Sequence, residues 1–109
     1  MVVLHALFDL KPQVAELDFR QALADFCRHL QSAGYVTSWR WMHQIDPVGP
    51  AFPRPPQKQL VALEFIDARA EQRCYDYVAA NAEPIRTLHR AMNSHVEPGS
   101  AMFFVCADA

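Results

Sequence analysis

The sequence contains only three glycines among 109 residues. Phosphate-cradling loops need more, because a backbone that closely approaches a ligand favours residues without a Cβ. No G-x-G-x-x-G, P-loop or G-x-S-x-G pattern occurs. That sets aside nucleotide binding through such loops and hydrolysis at a nucleophile elbow. Cysteine is equally sparse. Cys27, Cys74 and Cys106 are widely spaced and odd in number, so they make neither a C-x-x-C pair nor a complete disulfide framework. Three buried thiols in a reducing cytoplasm are expected. The net charge is −2, with no basic block or stripe, which argues against nucleic acid as a partner. No apolar run approaches the roughly 18 residues that span a bilayer. Met1-Val2-Val3-Leu4-His5 lacks the positive start and long apolar stretch of a secretory signal. The expectation is a cytoplasmic protein with no membrane partner.

Hydrophobic residues make up 51% of the chain and charged residues 20%, enough apolar material for a core. The length suits one domain over residues 1–109. Val2 to Leu10 reads as a strand, ended by Lys11-Pro12. Asp18 reads as an N-cap, with Gln21 completing a capping-box pattern. The helix after it carries Phe19, Ala22, Leu23, Phe26, Cys27, Leu30 and Ala33 at spacings of three and four, one apolar stripe. Gly34 suits the C′ position. Tyr35 to Ile45 reads as a second strand.

A proline-rich loop is expected over residues 46–58, since five of the eight prolines fall between Asp46 and Pro56. It is either a plain connector or a lid or dimer-clasping arm anchored by Phe52. Leu60 to Ile66 reads as a third strand. Asp67 caps a helix using Ala70, Cys74, Tyr77 and Val78. Glu83-Pro84 interrupts it, with Pro84 at a first helical position. A shorter helix carries Ile85, Leu88, His89 and Met92. Pro98-Gly99 turns the chain into a last strand, Ala101 to Ala107.

Two βαβ units in succession imply an α+β, ferredoxin-like split βαβ fold. Its four-stranded antiparallel sheet has the first and third strands at the centre and helices on one face. Such a sheet should alternate apolar and polar residues. This one does not: Val2, Leu4, Ala6 and Phe8 occupy one parity of the first strand, Val3, His5 and Leu7 the other. The last strand is apolar on both. A homodimer that covers the second face is therefore expected.

The chain resembles the dimeric α/β barrel superfamily, in which two ferredoxin-like subunits press their sheets together. The resemblance rests on Val2-Val3-Leu4-His5-Ala6-Leu7-Phe8, on the helix ending Leu30-Gln31-Ser32-Ala33-Gly34, and on Leu60-Val61-Ala62-Leu63-Glu64-Phe65 with Asp67. Trp39-Arg40-Trp41 and the segment from Pro84 to His95 are similar to a small bacterial branch of it. The superfamily spans cofactor-free monooxygenases, isomerases, haem enzymes and stress-response proteins, so the resemblance implies a fold more than an activity.

Polar residues on strands that should be buried are the candidate chemistry. If Val61, Leu63 and Phe65 face the helices, Glu64 faces the barrel interior. The parity that turns Leu4 and Phe8 to the helices turns His5 inward as well. Packing Trp39 and Trp41 on the helix side would turn Arg40 inward. His5, Glu64 and Arg40 in a low-dielectric cavity could bind an acid or move a proton. Equally, they could form an ion-paired network that only stabilises the dimer. The opposite parity of the second strand would make Trp39, Trp41 and His43 an aromatic wall for a ligand. His89, on the apolar stripe of the short helix, is a further ligand-binding candidate or a hydrogen-bonded core residue. The pairs His89/His95 and His5/His43 lack metal-binding spacing, so no metal site and no cofactor are expected.

Two functions follow. One is a small cofactor-independent enzyme, monooxygenase- or isomerase-like, acting on a small organic molecule in the barrel cavity. The other is a non-enzymatic dimeric module that binds a ligand or a protein. A pocket of about 300 Å³ or more with convergent polar groups would favour the enzyme.

Overall fold

A computed structural model describes residues 1–46 and 52–109. Residues 47–51 of the proline-rich loop lie outside the described residues. The elements are β1 (Val2–Phe8), α1 (Glu16–Ser32), β2 (Ser38–His43), β3 (Gln59–Phe65), α2 (Ala68–Ala79), α3 (Ile85–Asn93) and β4 (Met102–Ala107). The sheet order is β2-β3-β1-β4, and every pairing is antiparallel. The first and third strands are central, as expected of a split βαβ unit.

Parity decides which residues meet the helices. Val2 and Phe8 of β1 and Val61, Leu63 and Phe65 of β3 are buried together with Phe19, Leu23, Phe26, Cys27 and Leu30 of α1. Trp39 and Trp41 of β2 pair with Leu63 and Val61 and pack on the same core. The second strand therefore turns its tryptophans to the helices and Arg40 away. Phe19 sits at the centre, wholly buried. Its ring takes edge contacts with Phe8 at 5.5 Å and Trp41 at 5.2 Å, the geometry aromatic quadrupoles prefer.

Local signals set several boundaries. Asp67 accepts a hydrogen bond from the Ala70 N–H at 2.8 Å, an N-cap that contributes about 1 kcal/mol. Gly34 adopts φ +85°. There the Gly34 N–H donates to the Gln31 carbonyl and the Tyr35 N–H to the Leu30 carbonyl, a Schellman ending that satisfies two orphan carbonyls. Pro98 and Gly99, the latter at φ +79°, form a turn closed by the Ser100 N–H on the Glu97 carbonyl at 3.2 Å. Positive φ at its third position needs glycine.

Other boundaries differ from the sequence reading. Helix α1 starts at Glu16, after Ala15 as an N-cap without a side-chain bond. Asp18 lies inside the first turn, where a carboxylate favours the helix dipole, and Gln21 donates to Asp25 at 2.8 Å instead of closing a capping box. Regular pairing in β1 stops at Phe8, although Leu10 makes a lone bridge to Val96. β2 is shorter than expected because Tyr35 belongs to the helix ending. Pro84 stands one position before α3, as its N-cap. Phe52 is 72% exposed.

Candidate functional site

Where the helices leave the sheet, a cavity opens. Helix α2 is short, α3 starts only after the break at residues 80–84, and neither covers β4. Phe103 and Val105, which point to the helix side of β4, are 64% and 46% exposed. Behind them lies a cavity of about 560 Å³, within the range of small-molecule sites. Leu4, Ala6 and Phe8 of β1 and Val61 and Leu63 of β3 form its floor. Helix α1 supplies Phe19, Leu23, Phe26, Cys27 and Leu30 as one wall. Cys74, Tyr75 and Val78 of α2 and His89, Met92 and Asn93 of α3 supply the other. Ala101 and Phe103 to Val105 border the open side.

Nearly every surface of this cavity is hydrocarbon, so its few polar groups matter. The Tyr75 hydroxyl donates to Glu71 Oε2 at 2.6 Å. Burial, reinforced by that bond and the Glu71 charge, pushes its pKa up, so it stays a neutral, occupied wall residue. Burial pushes the Cys27 thiol up to about 12, with a smaller contribution from Cys74, and burial takes Cys74 up to about 11. Both remain thiols near neutral pH and act as small hydrophobes.

That makes a prediction with a definite sign. A thiol whose folded pKa lies above its ordinary 9.0 stabilises the fold below that value and loses its contribution as pH rises through the interval above it. Thermal melting of a Cys106→Ser variant should therefore fall as pH climbs from 9 towards 11. In the same variant neither remaining thiol should react with an aromatic disulfide reagent at pH 8 until denaturant is added.

His89 is the exception among the lining groups. Its ring leans on Phe26 with centroids 5.5 Å apart. Burial alone lowers its pKa, with no hydrogen bond or neighbouring charge contributing. The imidazole is therefore neutral at pH 7, beside an apolar cavity, and its ring makes no hydrogen bond among the described residues. A neutral imidazole in that setting can accept a proton or orient a polar group.

The other candidates lie elsewhere. His5, Arg40 and Glu64 share the opposite face of the sheet, away from the helices. The register lays Phe104, His5, Ala62 and Arg40 across it in one row, with Cys106, Val3, Glu64 and Ser38 in the next. His5 and Arg40 are two strands apart, about 10 Å between backbones at ordinary strand spacing. Glu64 Oε2 accepts from Ser38 Oγ at 2.5 Å, and no ion pair joins Glu64 to His5 or Arg40 among the described residues. His5 stacks on Phe104 at 4.7 Å. The cavity of this chain lies on the helix side, so none of the three lines it.

The aromatic wall is likewise not formed. Trp41 Nε1 donates to Gln59 Oε1 at 2.8 Å, its ring holds Phe19, and the Arg20 guanidinium lies 5.5 Å above it. Trp39 packs on the core beside it, and His43 Nε2 lies 3.3 Å from Glu16 on the surface. Neither tryptophan lines the cavity, nor does His43. Of the seven candidates only His89 does. The sequence reading missed Tyr75, Met92 and Asn93. Cys74 with Val78 and His89 with Met92 do recur at helical spacing, but that pattern is indistinguishable from a closed core. Cys106 also departs from expectation: in the chain it is exposed, on the outer face with Glu64.

Residues 1–104 match the model of a family of unknown function, DUF6614. The chain belongs to that family. No curated protein matches it. Among solved structures it is similar to SnoaB, a cofactor-independent oxygenase from Streptomyces nogalater, at 11% identity and a TM-score of 0.66 over 99% of this chain and 92% of that one. It is also similar to a dabb family protein with a ferredoxin-like fold from Mesorhizobium loti, at 19% identity and 0.65 over 99% and 96%. A dimeric ferredoxin-like protein of unknown function from a Jannaschia species gives 12% and 0.67 over 99% and 100%. At these identities the likeness carries the fold alone, and that fold is ferredoxin-like. Among the described residues no helix is long and apolar enough to cross a membrane, and no three His, Cys, Asp or Glu side chains gather to hold a metal ion.

Proposed function

We propose that this protein takes up a small, largely apolar organic molecule in its helix-side cavity and acts on it without a resident cofactor, with His89 as the proton acceptor. The observation that carries this is the cavity itself, about 560 Å³ of hydrocarbon surface with one neutral, uncommitted imidazole on its wall. Removing a proton from an acidic C–H or O–H begins both isomerisation and cofactor-free oxygenation, so one base serves either chemistry. The likeness to a cofactor-independent oxygenase supports the second. Unpaired Cys27, Cys74 and Cys106 fit a reducing cytoplasm.

The test follows exchange of the α-protons of 2-tetralone in deuterated buffer by NMR. The parent should accelerate it. His89→Gln should lose about 10²- to 10⁴-fold of that acceleration, the usual range for a general base, while binding changes little. Equal exchange with and without His89 would refute the role. Binding without any acceleration would favour the non-enzymatic ligand-binding reading.

A homodimer is part of the proposal. The outer face presents Val3, Leu60, Met42, Met102 and Phe104, and Met102 and Phe104 are 49% and 44% exposed. Among the described residues no helix covers Met102 and Phe104. A second copy pressed on this face would do so and close a barrel. His5, Arg40 and Glu64 would then lie in that interface. The dimeric ferredoxin-like relative supports the arrangement.

A further inference from the structure

A second, smaller pocket adjoins the cavity. It measures about 290 Å³ and is lined by Asn81, Arg86, His89, Arg90, Asn93 and Ser94. His89 and Asn93 line both spaces, so these two side chains form a shared partition. One space is hydrocarbon and the other polar. We infer that the two are the ends of one binding site, and that its ligand is amphipathic: an apolar body for the cavity and a carboxylate head for the α3 pocket. The inference rests on the cavity being a binding site.

The chemistry of the pocket selects the head group. Arg86, His89, Arg90 and Asn93 fall at i, i+3, i+4 and i+7 on α3, a single stripe of the helix. Asn81 joins them from the end of α2, held at φ +54°, a left-handed conformation that asparagine tolerates better than most residues. Two guanidinium groups line this pocket and no carboxylate does, although the chain as a whole is slightly acidic. Arg86 spends its Nε on Glu83 at 2.8 Å, which leaves its terminal nitrogens. Arg90 takes part in none of the ion pairs among the described residues. A guanidinium presents a planar fork that matches a carboxylate with two parallel hydrogen bonds. The amides of Asn81 and Asn93 add neutral donors, and the Ser94 hydroxyl, which donates to the Ala91 carbonyl at 2.8 Å, adds polar surface. His89, at the partition, meets the atoms that join head to body.

The experiment compares 1-naphthaleneacetic acid with its neutral amide by titration calorimetry on the full chain. The naphthyl body is common to both, and only the acid carries a charge at pH 7.5. The acid should bind the parent at least tenfold tighter than the amide. Arg90→Gln, at an exposed position, should weaken the acid about five- to tenfold and leave the amide unchanged. Arg86→Gln should do the same. Amide binding equal to acid binding, or equal losses for both in Arg90→Gln, would overturn the head-group assignment and leave the cavity reading intact. No binding of either compound to the parent would overturn both.

Discussion

Replacing Val78 by tryptophan should abolish small-molecule binding and leave the domain folded. Val78 lies on α2, partly buried, on the cavity wall. Its side chain packs on the edge of the core and also borders the cavity, so an indole can extend into that space. Overpacking a filled core costs about 1–3 kcal/mol. Here the added surface meets apolar walls and recovers dispersion contacts that the empty cavity forgoes. Melting temperature should therefore hold or rise, while affinity for a naphthyl probe falls at least about 100-fold, most of the contact area of a ligand being excluded. Val78→Leu should give a smaller loss in the same direction. Unchanged binding in Val78→Trp would mean that the probe sits elsewhere.

Replacing Phe104 by lysine should convert the proposed homodimer to monomer. Phe104 stacks on His5 in the middle row of the outer face and is 44% exposed in the chain. In a face-to-face dimer the substitution places an unpaired ammonium in each half of the interface. An uncompensated buried charge costs about 3–5 kcal/mol, so two of them weaken association by several orders of magnitude. Sedimentation should show twice the chain mass for the parent and the chain mass for Phe104→Lys. In the monomer the helix-side cavity remains, since it is built within one chain. Naphthyl binding should persist there, which separates the two sites experimentally.

Much of this fold was legible because period-two alternation and turn chemistry are local. The valines and leucines of β1 and β3 put their parity on the page, and with it the face that carries His5 and Glu64. Asp67, Gly34 and Pro98-Gly99 announced their positions because each solves a backbone problem that few residues solve. Asp18 misled, since a carboxylate three residues before a glutamine fits a first helical turn as well as a cap. The parity of β2 was open: Trp39 and Trp41 suit either face until Phe19 and Gln59 are seen to hold one of them. The cavity was not legible at all. An apolar lining reads like a filled core, and only the lack of a helix over β4 leaves it empty. His89 was named for its place on an apolar stripe, but the space beside it is a tertiary fact. The arginines of α3 gave no signal in the sequence, because their pocket needs Asn81 from another element.

The central claim is that the ligand enters between helices and sheet, not between two sheets. Intermolecular NOEs measure this directly, on methyl-labelled protein saturated with 1-naphthaleneacetamide. Contacts from the naphthyl protons to the methyl groups of Leu4, Leu23, Val61, Val78 and Met92 are the predicted result. Contacts to Leu60, Met42 and Met102 instead would put the ligand on the outer face and contradict the account.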